Sequence, residues 1–230
     1  MAIGDHLADI KTLWGVASCV NTMKCLYVAA EKGVDIDARA VDITSAKSLD
    51  DIKIYTPFGC LPCLKDVDFI VYGVMAVMSY VDDKGFGTSL VPRNGVTRAE
   101  HYQWIHLSRN ILEPCVDEIF SQQTISDDVR DKIHAVLSAF EQQLNSIKSK
   151  RPFIVGEYSM ADIHWVVPIH KLIQSGHENC LNDFSAIQEW LSHMKVKKSS
   201  SKENYIPYEV LPTQQEMIAN TQLHSIHINV

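Results

Sequence analysis

A cysteine lies where the sequence predicts the start of a helix. The apolar run from Ile10 to Trp14 indicates a buried strand, and residues 15–18 form a loop of small residues that precedes Cys19. Apolar residues then recur at helical spacing: Met23, Leu26, Tyr27 and Ala30. Gly33 is typical of a helix C-terminus. Because backbone N–H groups at a helix start attract anions, and Lys24 adds a cation, the loop is predicted to hold a thiolate, either the protein's own or that of a bound thiol.

Two further pairs of residues have spacings typical of redox or metal-binding motifs, but neither pair is predicted to have such a role. Cys60 and Cys63 have the C-x-x-C spacing of a redox pair, but they flank a proline turn rather than the start of the first helix. A structural role is therefore predicted for them. His224 and His227 have no further ligands near them in the sequence, so no metal site is predicted.

The composition favours a folded, soluble protein. The chain has 230 residues, of which 46% are hydrophobic and 21% charged, and its net charge of -7 argues against nucleic acid as the main partner. No window approaches the roughly 18 uninterrupted apolar residues of a membrane span, and the N-terminus lacks a signal-peptide pattern. The six cysteines lack the spacing of a disulfide scaffold, which predicts free thiols and a cytoplasmic location.

Residues 1–84 are predicted to form a small α/β domain. After the first helix the pattern predicts, in order, a strand over Asp35–Asp42, a short helix over Thr44–Lys53, a hairpin that ends at Tyr72 and a helix that ends near Lys84. Residues 85–95 are rich in glycine and contain a proline, which is typical of a linker.

Residues 96–195 are predicted to be all-helical. Their pattern predicts a long helix over Thr97–Phe120 kinked at Pro114, a helix that begins at Ser126, a helix opened by a capping box of Ser159 and Asp162, and a last helix over Leu181–Met194. Residues 196–230 are predicted to be a C-terminal tail.

Three motifs carry a resemblance to a known family. They are the strand-loop-helix around Cys19, the turn Gly59-Cys-Leu-Pro-Cys-Leu64, and the segment Gly156-Glu-Tyr-Ser-Met-Ala-Asp162. In this order and at these distances they resemble the cytosolic glutathione transferase superfamily, over roughly residues 10 to 195. The resemblance implies a thioredoxin-like α/β N-terminal domain, which binds glutathione, and an all-α C-terminal domain, which binds the second substrate.

The subfamily depends on how the first motif is aligned. Residues Leu13 to Ile43 are similar to the zeta-like reductive dehalogenases, and that register places their catalytic cysteine on Asn21 and a neighbouring serine on Cys19. Plant-type and omega-like members place the nucleophilic serine or cysteine on Cys19 itself. Both registers predict that Cys19 is the thiol of the site, with Asn21 and Ser18 as further catalytic candidates; Asn21 is equally well interpreted as an ordinary helix N-cap.

The resemblance also implies a glutathione site. In the family the backbone of the residue before a cis proline, here Leu61 before Pro62, pairs with the cysteinyl part of glutathione. Lys24 is a further predicted contact. Family members carry an acidic residue and a serine where the last strand meets the third helix, and here Tyr72 and Gly73 stand at that place. Tyr72 and Gly73 are nevertheless predicted glutathione contacts, because backbone N–H groups can still receive the carboxylate and the Tyr72 hydroxyl can replace one contact. The loss of a charge-assisted hydrogen bond there would weaken binding by about 1.5–3 kcal/mol.

A second-substrate pocket is expected between the active loop and the long helix that follows the linker. Its predicted lining residues are Trp14, Tyr102, His106 and Arg109. These side chains suit a flat, electrophilic or anionic small molecule. Most family members are two-fold dimers, so a homodimer is expected as well.

Two functions are consistent with these residues. The first is a glutathione-dependent transferase that directs a thiolate at an electrophilic small molecule, in conjugation, thiol transfer or dehalogenation. The alternative is a binding or scaffold protein that has the same fold and a degenerate glutathione site. Cys19 favours the enzyme, whereas Tyr72 and Gly73 favour the alternative.

Overall fold

The computed structural model describes residues 10–17, 19–122, 126–146, 152–195 and Ile218. The chain divides into two compact units, and the boundary along the sequence lies between Gly87 and Thr88. The predicted tail over residues 196–230 lies outside the described residues, apart from Ile218.

The first unit is a four-stranded mixed sheet with three helices. Its elements are β1 (Lys11–Gly15), α1 (Val20–Glu31), β2 (Ile36–Ala40), α2 (Ala46–Lys53), β3 (Cys63–Asp66), β4 (Phe69–Tyr72) and α3 (Val74–Lys84). This confirms the predicted order of elements, although the first strand begins and ends one residue later and the second is shorter than predicted. The strands lie in the order β2-β1-β3-β4. β1 is parallel to β2, whereas β3 is antiparallel to both β1 and β4.

The two longer helices of this unit are joined by a buried ion pair. Nζ of Lys32, at the end of α1, lies 2.9 Å from Oδ1 of Asp82 on α3, and both side chains are only 3% exposed. The backbone N–H of Phe86 donates to the carbonyl of Lys32 at 2.8 Å. Gly33 follows with φ +62°, which confirms the helix end predicted from the sequence.

The turn of the β3–β4 hairpin contains a residue with an unfavourable backbone conformation. Asp66 pairs with Phe69, so Val67 and Asp68 form a two-residue turn. Val67 has φ +54°, a conformation that β-branched residues rarely adopt and that glycine adopts freely.

Replacement of Val67 by glycine is expected to stabilise the protein. The left-handed backbone conformation disfavours an L side chain by about 1–2 kcal/mol, and the greater flexibility of glycine in the unfolded chain offsets part of that gain. Val67→Gly should therefore raise the free energy of unfolding by about 0.5–1 kcal/mol in urea titrations. The control Val67→Ala keeps the strain and should stay close to wild type; an equal gain in both variants would contradict this explanation.

The second unit is helical. Its elements are α4 (Gly95–Leu107), a π-helical turn (Ser108–Leu112), α5 (Glu113–Gln122), α6 (Asp127–Ser146), α7 (Met160–Gln174), a 3₁₀ turn (Glu178–Leu181) and α8 (Ser185–Lys195). The side chains at its centre are aromatic: Trp104, Phe140, Trp165 and Trp190. Phe140 stacks on Trp165 with ring centroids 4.2 Å apart, and Trp165 Nε1 donates to the carbonyl of Trp104 at 3.0 Å.

Two helix predictions need correction. The single helix expected over Thr97–Phe120 is interrupted by the π turn, which precedes Pro114 and changes the hydrogen-bond spacing before the proline ring is reached. The last helix begins at Ser185 rather than at Leu181. It begins there because the carboxylate of Glu141 on α6 accepts hydrogen bonds from the backbone N–H groups of Ala186 and Ile187, both at 2.9 Å.

The predicted capping box is present at the start of α7. The Ser159 hydroxyl accepts from the backbone N–H of Ala161, and the Asp162 carboxylate accepts from the backbone N–H of Ser159 at 3.0 Å. Asp162 also accepts from Ile154 N–H at 3.0 Å and from Trp190 Nε1 at 3.1 Å. One buried carboxylate therefore joins the helix start to α8 and to the segment before it.

Asp162 should make stability depend on pH. Burial raises its pKa from 3.8 to about 6, although its hydrogen bonds from Ile154, Trp190 and Ser159 oppose the shift. Between these values the folded chain keeps a proton that the unfolded chain has lost, so the Asp162 contribution to stability falls as pH rises. Asp162→Asn removes this proton and puts an N–H group against N–H donors. The deficit of the variant relative to wild type should grow by about 2 kcal/mol from pH 7.5 to pH 4 in denaturant titrations. An equal deficit at both pH values would contradict the assignment.

Candidate functional site

The topology of the first unit brings three chain segments to the same end of the sheet. β1 and β4 are both antiparallel to β3, so they run in the same direction, and the helices that follow them begin at the same end of the sheet. β3 begins at that end. Cys19, Pro62 and Gly73 are the residues at these three places, and Gly73 N–H donates to the Pro62 carbonyl at 2.9 Å.

Cys19 is the N-cap of α1. Its backbone is extended, with φ -79° and ψ 130°, and its side chain makes no capping hydrogen bond. Its own N–H donates to the carbonyl of Val16 at 3.0 Å, and its carbonyl accepts from Met23 at 3.2 Å. The half-buried Cys19 therefore stands at a helix start whose first-turn N–H groups have no intrahelical acceptor. Such groups favour an anion at this position.

The two other catalytic candidates are Asn21 and Ser18. Asn21 is the second residue of α1, so its interpretation as the helix N-cap is wrong; Cys19 occupies that position because its backbone is still extended. The side-chain Oδ1 of Asn21 is buried and has no hydrogen-bond partner. Ser18 lies outside the described residues.

Lys24 is fully buried, with 0% of its surface exposed. Its charge lowers the pKa of Cys25, but the larger effect of burial raises that pKa far above its ordinary value of 9.0. Burial also raises the pKa of Cys63 to about 11. Both buried cysteines therefore remain protonated thiols at neutral pH, whereas Cys19 is partly exposed. Direct contact between Lys24 and glutathione stays a prediction.

The turn before Pro62 is held by one threonine. The Leu61–Pro62 peptide is cis, as the resemblance implies. Thr56 is fully buried; its hydroxyl accepts from Cys60 N–H at 2.8 Å and its carbonyl accepts from Gly59 N–H at 2.9 Å. These bonds fix the backbone that leads to Leu61.

The start of α3 has no polar side chain. Tyr72 is the last residue of β4 and pairs with Cys63, Gly73 is the N-cap with φ +88°, and Val74 is the first helical residue. Tyr72 and Gly73 were predicted from the sequence, whereas Val74 was not, because the exact start of the helix was not evident from it. An anion at this helix start would meet backbone N–H groups alone.

Trp14 belongs to an aromatic and cationic cluster on the sheet. Its ring stacks on Tyr55, with centroids 4.4 Å apart and an interplanar angle of 18°. The guanidinium of Arg39 lies 5.9 Å from the Trp14 centroid and is held by an ion pair of 2.7 Å with Asp37. Lys65 Nζ lies 5.8 Å from the Tyr55 centroid. Neither Tyr55 nor Arg39 was identified from the sequence, because the contacts join three separate segments.

The other substrate candidates lie on the second unit. Tyr102, His106 and Arg109 are all exposed, at spacings that place them along one side of α4 and its continuation. Asn110, which was not predicted from the sequence, lies beside them. Its Nδ2 donates to the His106 carbonyl at 2.8 Å and lies 3.0 Å from His106 Nδ1. The role of these residues in a substrate pocket stays a prediction.

Within the described residues, no group of three or more His, Cys, Asp or Glu side chains is arranged to hold a metal ion. His224 and His227 lie outside that part of the chain. No helix of the described structure has the length and apolar character needed to cross a membrane.

Comparison with known proteins finds similarity to glutathione transferases. The family model described as the glutathione S-transferase C-terminal domain matches residues 109–199. Glutathione S-transferase F14 of Arabidopsis thaliana is 26% identical over 205 residues, which cover 80% of this chain and 77% of that protein. Glutathione S-transferase Z1 of the same plant is 27% identical over 112 residues, covering 48% of this chain and 49% of that protein.

Solved structures agree with this result. Glutathione transferase F7 from Populus trichocarpa has a TM-score of 0.68 at 24% identity, covering 82% of this chain and 94% of its own. A glutathione transferase from Burkholderia graminis, with two glutathione molecules bound per subunit, has a TM-score of 0.67 at 19% identity. The match covers 83% of this chain and 85% of that protein. The molecule has the glutathione transferase fold, which confirms the predicted fold class. The chain is therefore similar to glutathione transferases in sequence and in fold, and its subfamily stays open.

The corner between β1 and α1 leaves no space for a side chain at Gly15. A Cβ atom there would lie 2.3 Å from Oγ1 and 2.6 Å from Cγ2 of Thr22, which is 1% exposed and whose hydroxyl has no hydrogen-bond partner. Gly15→Ala should therefore lower the free energy of unfolding by about 1–3 kcal/mol. Thr22→Ala removes both close atoms, so adding it should recover most of that loss in a double-mutant cycle measured by denaturant titration. Additive effects of the two substitutions would contradict the steric explanation.

Proposed function

We propose that this chain is a glutathione-dependent transferase in which Cys19 is the reactive group. The observation that carries the proposal is the position of Cys19, a partly exposed thiol at the N-cap of α1 that makes no capping bond. A helix N-terminus stabilises a thiolate, and a thiolate is the nucleophilic form of cysteine.

A cysteine at this place favours thiol transfer over conjugation. In conjugation the protein group would donate a hydrogen bond to the thiolate of glutathione, and a thiol is a weak donor compared with a hydroxyl. In thiol transfer the Cys19 thiolate attacks the glutathione sulfur of a mixed disulfide; the S–S bond breaks and the second thiol leaves with a proton from water. The thiolate of a second glutathione then attacks the Cys19–glutathione disulfide, which yields oxidised glutathione and restores Cys19.

The glutathione site would be formed by backbone rather than by charged side chains. The backbone of Leu61 beside the cis Pro62 would pair with the cysteinyl part of glutathione. The start of α3 at Gly73 would receive the γ-glutamyl carboxylate through N–H groups alone, since Val74 and Gly73 offer no polar side chain. We therefore expect weak glutathione binding.

The second substrate is proposed to be a small electrophilic molecule. Tyr102, His106 and Arg109 share one exposed side of their helix and offer a phenol, an imidazole and a guanidinium. These groups suit a planar substrate or one with an anionic substituent.

A second candidate function follows from the start of α3. The lack of a polar side chain at Gly73 and Val74 favours a protein that uses this fold for binding, without turnover. Glutathione affinity and thiol transfer must therefore be measured separately.

We also propose a cytoplasmic homodimer. All six cysteines are free in the structure, which is consistent with a reducing compartment. The dimer follows from the expectation for this superfamily and is tested by light scattering.

Substitution of Cys19 distinguishes the reactions. Cys19→Ser and Cys19→Ala should both lose at least about a hundredfold in thiol transfer from a mixed disulfide, because neither has a nucleophilic sulfur. Cys19→Ser should conjugate chlorodinitrobenzene faster than Cys19→Ala, because its hydroxyl donates to the thiolate of glutathione. Calorimetric titration with glutathione should give similar affinities for all three proteins.

The matched control is Cys60→Ser, which changes an exposed cysteine of the proline turn and should leave thiol transfer unchanged. Retained thiol transfer in Cys19→Ala would overturn the role of Cys19. Glutathione binding without turnover of either substrate by the wild type would support the binding protein instead.

A further inference from the structure

The segment between α2 and β3 is held in place by Thr56, whose side chain is 0% exposed. Its backbone N–H donates to the carbonyl of Ile52 at 3.1 Å, which attaches the segment to α2. Its carbonyl accepts from Gly59 N–H at 2.9 Å, and its hydroxyl accepts from Cys60 N–H at 2.8 Å. These bonds close a short loop that ends immediately before Leu61.

A stacked aromatic pair holds the residue before Thr56. Tyr55 stacks on Trp14, the fourth residue of β1. At the next residue of the strand, Gly15, a Cβ atom would point at Thr22 of α1. Because successive residues of a strand face opposite sides of the sheet, Trp14 lies on the side away from α1. Trp14 is therefore placed to support the segment after α2.

The backbone of Leu61, which follows this loop, is open to a ligand. Among the residues that the structure describes, none forms a hydrogen bond with its N–H or its carbonyl. The peptide that joins it to Pro62 is cis. A ligand that pairs with backbone groups needs them in fixed positions, since a binding group must be held within about 0.5 Å of the productive geometry.

We propose that Thr56 and the Trp14–Tyr55 stack are positioning residues that hold the Leu61 backbone in the geometry that glutathione requires. The inference rests on the proposed function, in which Leu61 pairs with the cysteinyl part of glutathione. Without the Thr56 hydroxyl the loop has more conformations, and binding must select one of them, which lowers the affinity. Cys19 belongs to another segment, the start of α1, so its reactivity should not change.

Two substitutions of Thr56 test the role of its hydroxyl. Thr56→Val keeps the shape of the side chain but removes the acceptor for Cys60 N–H, and Thr56→Ser keeps the hydroxyl. In calorimetric titration with glutathione, Thr56→Val should bind at least about fivefold more weakly than the wild type. In thiol transfer it should raise KM for glutathione and leave kcat within about twofold. Thr56→Ser should restore the affinity.

The matched control is Thr12→Val, the same substitution at a half-buried threonine in the middle of β1. It should bind glutathione like the wild type. The rate at which iodoacetamide alkylates Cys19, measured without glutathione by mass spectrometry, should be the same in all these proteins. A variant that merely unfolds in part would change this rate as well.

Equal affinities of wild type and Thr56→Val, weak binding by Thr56→Ser or Thr12→Val, or a changed rate of Cys19 alkylation in Thr56→Val would overturn the proposal. If Thr56→Val does not fold, substitutions of Trp14 decide. Trp14→Leu should then bind glutathione at least about threefold more weakly than Trp14→Phe, which keeps a stacking ring, and equal affinities would overturn the proposal.

The same measurements separate this inference from the proposed function. Weak binding by Thr56→Val, together with thiol transfer that survives Cys19→Ala, would support the positioning role and contradict the proposed reaction of Cys19. A wild type that binds no glutathione in calorimetry would overturn both.

Discussion

The start of α1 depends on how closely the helix can approach the end of β1. Gly15 has no side chain, and Thr22 fills the space that one would occupy. This contact places the first turn of the helix directly over the strand end. Pro62 and Gly73 lie at the same end of the sheet because β1 and β4 run in the same direction. The steric condition at Gly15 thus sets the approach of α1, while the strand directions bring the other two segments to the same end of the sheet.

The candidate site combines a partly exposed cysteine with little side-chain charge. Cys19 is partly exposed, while Cys25 and Cys63 are buried and remain protonated. Lys24 is enclosed in the unit rather than directed to solvent. Recognition of an anionic ligand would therefore depend on backbone N–H groups, whose positions are fixed by the fold. Such a site tolerates changes of surface side chains better than changes of backbone conformation.

Local signals in the sequence predicted most of the fold. The capping box of Ser159 and Asp162 and the helix end at Gly33 depend on neighbouring residues, and both are present. The features that were missed depend on distant residues. The start of α8 is set by Glu141, more than one helix earlier, and the hydroxyl of Ser108 in the π turn lies 2.6 Å from the carbonyl of His164 on α7. No periodicity within either helix contains that information.

The same distinction applies to the candidate site. Cys19 was identified because a loop before a helix is recognisable from sequence, whereas the stacking of Trp14 on Tyr55 required the sheet. The contact between Asn110 and His106 also has a chemical consequence. An amide NH₂ can only donate, so the imidazole Nδ1 it contacts must be the accepting nitrogen. The neutral ring then carries its hydrogen on Nε2, and the exposed side of the helix presents a histidine of defined tautomer.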